Sequence, residues 1–462
     1  MPPATFRILN FGCRASQADG AALKLQLLRA GLSETAEGQE DVSILNTCTV
    51  TAAADAEVRQ IIRRIHRENP SRRILVTGCY AQRAPQEIAA LGGVAWVVGN
   101  SHKHRVAEIL TAHFGGGPAS EPWFAPTAYN DSVRTVENVE PSRQVWVGEI
   151  GAEFHFLPAS PDDRTRPTLK IQDGCNARCA FCVIPSIRGR SRSLPAEQAV
   201  AEVRRLEEQG FREVVLSGIN LGSYGRDLGG GVTFLALLEK ILSETRLPRL
   251  RISSIEPMDV TPELIARIAR EPRMARHFHV PLQSGSDRVL RQMNRRYWTA
   301  HYADRIMAIR QAIPNCGIGA DVMTGFPGET DEDHSISASF IESLPFTYLH
   351  IFPYSLRPST PAASRDGQVA RSVSRERAAD LRQRIVRKRR EFLLGQIGHV
   401  LSALTLSGSH EDDCRAISSN YLNIQLPGTR LSPNQIVDVR IQRVDGDRLV
   451  GHPEFVYRQA AT

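Results

Sequence analysis

Two series of alternating strand-like and helix-like segments, separated by a proline-rich stretch, limit the folds open to this chain. In the first hundred residues, apolar β-branched runs appear at Phe6–Phe11, Val42–Leu45, Ile74–Val76 and Val94–Val98. Between them lie helical patterns at Ala21–Leu28 and Val58–Ile65, the second with Ile61, Ile62 and Ile65 at three-to-four spacing. Alternation of this kind predicts an open, mainly parallel sheet. From 115 to 164 the periodicity dissolves under Pro118, Pro122, Pro126, Pro141, Pro158 and Pro161. That segment reads as a connector, with Val145–Val147 and Phe154–Leu157 as edge-strand candidates.

The second series places strands at Thr168–Gln172, Glu213–Ser217, Leu250–Ser254, His277–Leu282, Ile318–Thr324 and Tyr348–Pro353. Helices are expected at Ala196–Gln209, Thr233–Leu242, Thr261–Ala269 and Asp331–Glu342. Five strand–helix repeats and a last strand fit a partial TIM-like (β/α)6 barrel, and a doubly wound sheet fits the same pattern. A basic helix follows at about Val373–Leu394. The tail carries short alternating segments at Val400–Leu406, Tyr421–Leu426, Ile436–Val444 and Leu449–His452, which predict a small five-stranded β-barrel. The fold class is therefore α/β, with domains at 1–114, 165–395 and 396–462 and a connector at 115–164.

A chain of 462 residues has material for several cores, and 42% hydrophobic residues with charges of both signs exclude low-complexity disorder. No apolar run approaches the ~18 residues of a membrane helix, and the opening Met1–Arg7 lacks a secretory pattern. A cytoplasmic location is expected. Eight cysteines are too sparse for a disulfide scaffold, so reduced thiols are expected. The net charge of +7 permits an RNA partner without requiring one.

The thiols fall into two sets. Cys175, Cys179 and Cys182 form a C-x3-C-x2-C array that can wrap one soft metal centre from a single loop. A structural zinc site normally takes four ligands, and no fourth cysteine or histidine lies nearby. A cubane iron–sulfur cluster on three cysteines leaves one iron open to a small molecule. Cys13, Cys48 and Cys79 are dispersed, but each follows an apolar strand by a few residues. Parallel strands end on one sheet edge, where ligands bind, so these thiols either converge as ligands or are small hydrophobes buried at strand ends. Cys316 and Cys414 have no such partners and read as structural.

Cys175, Cys179 and Cys182, with Phe181 before the last cysteine, resemble the signature of the radical S-adenosylmethionine (SAM) enzymes. With the three N-terminal cysteines and the β tail, the chain resembles the methylthiotransferases, whose plan is a cluster-binding N-terminal domain, a radical-SAM barrel and an RNA-binding TRAM domain. Asn46-Thr47-Cys48-Thr49-Val50-Thr51, Gly78-Cys79-Tyr80-Ala81-Gln82 and Leu169–Asn176 look like the branch acting on threonylcarbamoyladenosine in tRNA. The resemblance implies two [4Fe-4S] clusters. Cys175, Cys179 and Cys182 would hold the one that binds and reductively cleaves SAM. Cys13, Cys48 and Cys79 would hold an auxiliary cluster that presents sulfur, and a further SAM would supply the methyl group. The product would carry a methylthio group at C2 of the modified adenosine beside the anticodon. An electron donor such as flavodoxin or ferredoxin and a sulfur source are implied as partners, and no membrane.

No catalytic residue is assigned beyond the cluster ligands. Polar groups after the expected barrel strands, Gly218, Asn220, Ser254, Glu256 and Gln283, are candidates to contact SAM. The loop Gly325–Glu329, after Asp321, fits either a site or a structural turn. Arg188, Arg190, Arg192, the Arg295–Trp298 segment and the Arg382–Arg390 run are candidate RNA contacts. Two other substrates of the same chemistry, isopentenyladenosine in tRNA and a ribosomal protein side chain, stand as alternatives, as does a non-catalytic zinc-binding RNA adaptor.

Overall fold

The computed structural model describes residues 4–114, 143–151, 156, 165–408 and 413–454. Most of the 115–164 connector, including the expected strand Phe154–Leu157 apart from Phe156, lies outside the described residues. The described residues form two compact units. One gathers those of Met1–Asp162 with Thr168–Leu194 and Ser355–Ala363; the other comprises Asp163–Pro167, Pro195–Tyr354 and Ser364 onward. Thr168–Leu194 is grouped with the first of these units.

The first unit is built on a six-stranded parallel sheet. Its strands run, side by side, Ser33–Glu34, Thr5–Asn10, Val42–Thr47, Arg73–Gly78, Val94–Gly99 and Gln144–Trp146. The last takes up the expected edge piece at 145–147. Helices cover both faces, as parallel strands require. Val58, Ile62 and Ile65 of helix Ala52–Glu68 pack on Leu45, Ile74 and Val76. Leu23 and Leu27 of helix Arg14–Arg29, with Val106 and Leu110 of Val106–Phe114, pack on Phe6, Ile44 and Val98. The sheet therefore winds outward in both directions from Thr5–Asn10 and Val42–Thr47, and the crevice beyond that switch point is where such sheets bind ligands.

In the second unit, Glu213–Ser217 pairs in parallel with Arg249–Ile252, and His277–His279 with Gly317–Thr324 and then Tyr348–Pro353. A parallel bridge from Ser254 to His279 joins the two groups. The helices between them match expectation closely: Ala196–Glu208, Phe234–Glu244, Pro262–Arg270 and Asp331–Ser343. Thr233, Thr261 and Thr330 each cap the following helix with a side-chain oxygen. Two helices, Asp287–Gln292 and Thr299–Ala312, had no clear apolar periodicity to announce them.

After helix Arg371–Leu394 the chain closes into a five-stranded barrel of Val400–Thr405, Asp413–Ser418, Asn423–Pro427, Arg448–Pro453 and Ile436–Asp445, in that order. The barrel is as expected, but its second strand was hidden in sequence by the polar run ahead of it. Cys414 lies in that strand, buried against Ala403, Ile424 and Leu449. Cys316 is likewise buried just before Gly317–Thr324, and burial pushes its thiol up to about 12. Both are core residues.

Candidate functional site

Strand register brings the N-terminal cysteines to one edge. Asn10, Asn46 and Thr77 stand side by side across three adjacent strands. Cys48 and Cys79 each lie two residues past that line, and Cys13 lies three past it. Cys79 also opens the short helix Cys79–Arg83. Asn46 donates through its side-chain amide to Asn10 Oδ1 (3.0 Å), so the strand ends are tied together beneath the thiols.

The thiols are close enough to feel one another. Burial, reinforced by the neighbouring Cys79 and Cys13 sulfurs, pushes the Cys48 thiol up to about 11. Gly12 adopts a φ of +96°, and a Cβ there would lie 2.3 Å from Cys48 Cβ. Gly78 has φ +98°, and its Cβ would meet the Thr47 carbonyl oxygen at 2.4 Å. Glycine is the residue these close approaches admit.

The Cys175–Cys182 loop lies in the same compact unit. It is framed by an antiparallel pair, Gln172–Asp173 against Arg192–Ser193, and by the short helix Ile184–Arg188. Gly174 holds φ +71°, a Cβ there would lie 2.0 Å from the Arg190 carbonyl oxygen, and Cys175 N donates to Gly189 O. Within the loop, Ala177 N donates to Cys175 Sγ at 3.3 Å. Val183 and Ile187 pack on Cys79, so the segment leaving this loop touches the N-terminal set directly.

A buried charge network underlies that contact. Arg188, 2% exposed, donates from Nη1 to Asp173 (3.0 Å), from Nη2 to Asp19 (2.9 Å), and from Nε to Cys79 Sγ (3.3 Å). Lys103 and Lys170 also pair with Asp19, and Lys170 with Asp173. Burial alone would push both carboxyls up, but these cations outweigh it and hold Asp19 and Asp173 below the usual carboxylate range. Burial opposes the charge on Arg188, yet Asp173, Cys79 and Asp19 together keep its guanidinium firmly protonated. Arg188 is therefore not an RNA contact. Its spacing with Arg190 and Arg192 looked like a basic stripe, and nothing local in sequence signals that Asp19, far upstream, closes over it. Arg192 is also turned inward, donating to the Gly151 and Arg188 carbonyls, whereas Arg190 is exposed.

The remaining candidates lie in the second unit. Gly218 and Asn220 follow strand Glu213–Ser217, half-buried, and the Asn220 carbonyl accepts from the Ser223 amide (2.9 Å) and hydroxyl (2.7 Å) in the turn Leu221–Ser223. Ser254 is exposed, and Glu256 is ion-paired with Arg295. Gln283 is buried at φ +68° and bridges to Val322. Glu329 accepts from the Phe326 amide at 3.1 Å and from the Gly325 amide, so the Gly325–Glu329 loop is a braced turn into helix Asp331–Ser343. In the basic helix, Arg384 pairs with Asp380, Arg387 with Glu342, and Arg382 donates to the Ile351 carbonyl. Within that run Arg384 and Arg387 are thus ion-paired inside the unit. Of the Arg295–Trp298 segment, Arg296 and Trp298 stay exposed, while Tyr297 is buried. Sequence reasoning passed over a polar cluster in which His279 and His350 both donate to Asp321 Oδ1, at 3.1 and 3.2 Å.

Ligand spacing tests the cysteine sets. Among the described residues, the only three His, Cys, Asp or Glu ligand atoms all within 4.8 Å of one another are those of His279, Asp321 and His350. The sulfurs of each cysteine triad are thus spread wider. A single tetrahedral zinc, with sulfur at about 2.3 Å, needs its sulfurs roughly 3.8 Å apart. A cubane, with one thiolate on each of three iron corners, takes a wider set. All eight cysteines are thiols, and N–H groups already point at Cys79 and Cys175. The residues fit iron–sulfur clusters better than zinc.

Comparison with known proteins agrees. Residues 169–341 match the radical SAM superfamily, and residues 5–99 match the uncharacterized protein family UPF0004. The threonylcarbamoyladenosine tRNA methylthiotransferase MtaB of Aquifex aeolicus is 36% identical, over 91% of this chain and 96% of that protein. The protein of the same name from Bacillus subtilis is 34% identical over 95% and 94%. A tRNA-2-methylthio-N(6)-dimethylallyladenosine synthase from Pelotomaculum thermopropionicum is 32% identical over 86% of each chain. Among solved structures, the radical S-adenosylmethionine methyltransferase TsrM of Kitasatospora setae shares the fold, with a TM-score of 0.54 at 16% identity over 79% of this chain and 75% of that one. Relatives this similar, matched over nearly their full length, show that the chain belongs to the radical SAM methylthiotransferase family.

Proposed function

We propose that this protein adds a methylthio group to C2 of N6-threonylcarbamoyladenosine next to the anticodon of tRNA. The observation that carries the reading is the match, over 91% of the chain, to a protein named for that modification. The two sets of three thiols within one compact unit support it. In this reading Cys175, Cys179 and Cys182 hold the cluster that binds SAM, and Cys13, Cys48 and Cys79 hold the auxiliary cluster. When bound, these groups supply a 5′-deoxyadenosyl radical able to take hydrogen from C2, and the sulfur that replaces it.

The chain's own residues hold and shield that chemistry. Gly12 and Gly78 let the strand ends approach the auxiliary thiols, while Val183 and Ile187 keep water from Cys79. Gly218, Asn220, Ser254, Glu256 and Gln283 remain the candidates to contact SAM. The segments 1–114, 165–395 and 396–462 serve as auxiliary-cluster, radical and RNA-binding domains, with 115–164 as connector. Exposed Arg190, Arg296 and Trp298 offer phosphate and base contacts. A flavodoxin- or ferredoxin-like donor and a sulfur source complete the system, which operates in the cytoplasm; no described helix is long and apolar enough to cross a membrane.

The dimethylallyladenosine synthase relatives favour a second reading, the same chemistry on isopentenyladenosine. Nucleoside mass spectrometry of tRNA from cells lacking this protein separates the two. Loss of methylthio-threonylcarbamoyladenosine with accumulation of its unmodified parent is expected. Loss of the methylthio form of isopentenyladenosine instead would transfer the assignment.

A further inference from the structure

We propose that Arg188 sets the reduction potential of the auxiliary cluster, by holding a buried positive charge and an N–H donor against the Cys79 sulfur. The proposal rests on the reading that Cys13, Cys48 and Cys79 hold that cluster.

Every nitrogen of the guanidinium is engaged. Nε donates to Cys79 Sγ at 3.3 Å, Nη1 to both oxygens of Asp173 at 3.0 and 3.2 Å, and Nη2 to Asp19 at 2.9 Å and Ser16 at 3.4 Å. Asp173 stands two residues before Cys175, and Arg188 itself six after Cys182. Ser16 and Asp19 lie on the helix that begins just after Cys13. One buried side chain thus joins the segments that carry both thiol sets. A planar fork suits this task, and lysine cannot reproduce it.

The charge arithmetic points the same way. The ion pairs linking Asp19, Asp173, Arg188, Lys103 and Lys170 set three cations against two carboxylates, an excess of one positive charge. The sulfur at the end of the network is its natural counterpart. Asn100 adds a neutral donor to the same sulfur, 3.6 Å away, while its amide also holds the Ile187 carbonyl at 2.9 Å. Positive charge at short range in a low-dielectric setting favours the more negative, reduced state of a cluster, as do hydrogen bonds to its sulfurs. Removing Arg188 should therefore lower the potential, and neutralising a carboxylate that offsets it should raise it. A mere structural strut would not produce shifts of opposite sign.

The test uses the full chain carrying C175A, C179A and C182A, reconstituted anaerobically with iron and sulfide so that only the auxiliary cluster forms. The reduced fraction is followed by electron paramagnetic resonance during a potentiometric titration. Arg188→Gln should lower the reduced-to-oxidised ratio at fixed potential about tenfold, which is 59 mV for a one-electron couple. Asp19→Asn should raise it, and Arg188→Lys should fall less than the glutamine variant. An Arg188→Gln protein that holds its iron with an unchanged ratio overturns the proposal. Should that variant fail to hold iron, Asp19→Asn decides, and a ratio that does not rise is equally fatal. If the starting triple variant forms no cluster while C13A/C48A/C79A retains one, the auxiliary-site reading falls and takes this proposal with it.

Discussion

Gly12 illustrates how closely the proposed auxiliary site depends on single residues. Its φ of +96° and the 2.3 Å approach of its would-be Cβ to Cys48 leave no room for a side chain. Gly12→Ala should displace Cys48 and empty the auxiliary site without touching the Cys175–Cys182 loop. Iron and acid-labile sulfide analysis should then give about four irons per chain in place of about eight. 5′-Deoxyadenosine should still form on adding SAM and reductant. Cys175→Ala should behave in the opposite way, abolishing 5′-deoxyadenosine while retaining auxiliary iron. Continued SAM cleavage in that variant would reject the assignment of the loop.

Glu213 governs stability at the level of elements. Fully buried on strand Glu213–Ser217, it meets Arg249 and Arg251 of the neighbouring strand and Arg166. Arg251 also donates to the Ser418 and Ser419 carbonyls, so the same charge cluster anchors the C-terminal barrel. Arg249 to Ser402 Oγ and the Arg276 amide to Ser419 Oγ extend the seam. Burial pushes the Glu213 carboxyl up, but Arg251, Arg166 and Arg249 outweigh it and hold it at about 2 rather than 4.5. A depressed carboxyl stabilises the fold above its unfolded value and loses that contribution as pH falls. The loss should therefore run from about 4.5 down to about 2. At 1.36 kcal/mol per unit, the contribution at neutral pH is roughly 3 kcal/mol. Glu213→Gln leaves buried arginines short of their counter-charge and should destabilise the protein by about 3–5 kcal/mol. Denaturant titrations at pH 7 and pH 3 should show that difference shrinking in acid. A constant difference would mean that the ion pairs are not responsible.

For the molecule as a whole, sequence periodicity and topology carry different kinds of information. Strand–helix alternation marked the four longer strands of the N-terminal sheet because buried parallel strands are continuous apolar runs. Helix Thr299–Ala312 was missed because its buried residues, Tyr302, Ile306 and Ile309, are diluted by polar neighbours. The Cys175–Cys182 loop was legible because its three cysteines are adjacent in sequence. Cys13, Cys48 and Cys79 were legible only as strand ends, since their convergence depends on the register of three strands. Arg188 was read as a candidate RNA contact because its partners, Asp19 and Cys79, are more than a hundred residues away. Buried polar networks of this kind follow from tertiary closure and leave no local pattern.

The most direct measurement of the whole account is a reaction of the reconstituted protein with SAM, a strong reductant and tRNA bearing threonylcarbamoyladenosine, analysed for both products. The native protein should yield 5′-deoxyadenosine and the methylthio nucleoside together. Cys48→Ala should yield 5′-deoxyadenosine alone, because radical formation and sulfur insertion are assigned to different thiol sets. Methylthio nucleoside from Cys48→Ala, or none from the native protein while dimethylallyladenosine tRNA is converted, would contradict it.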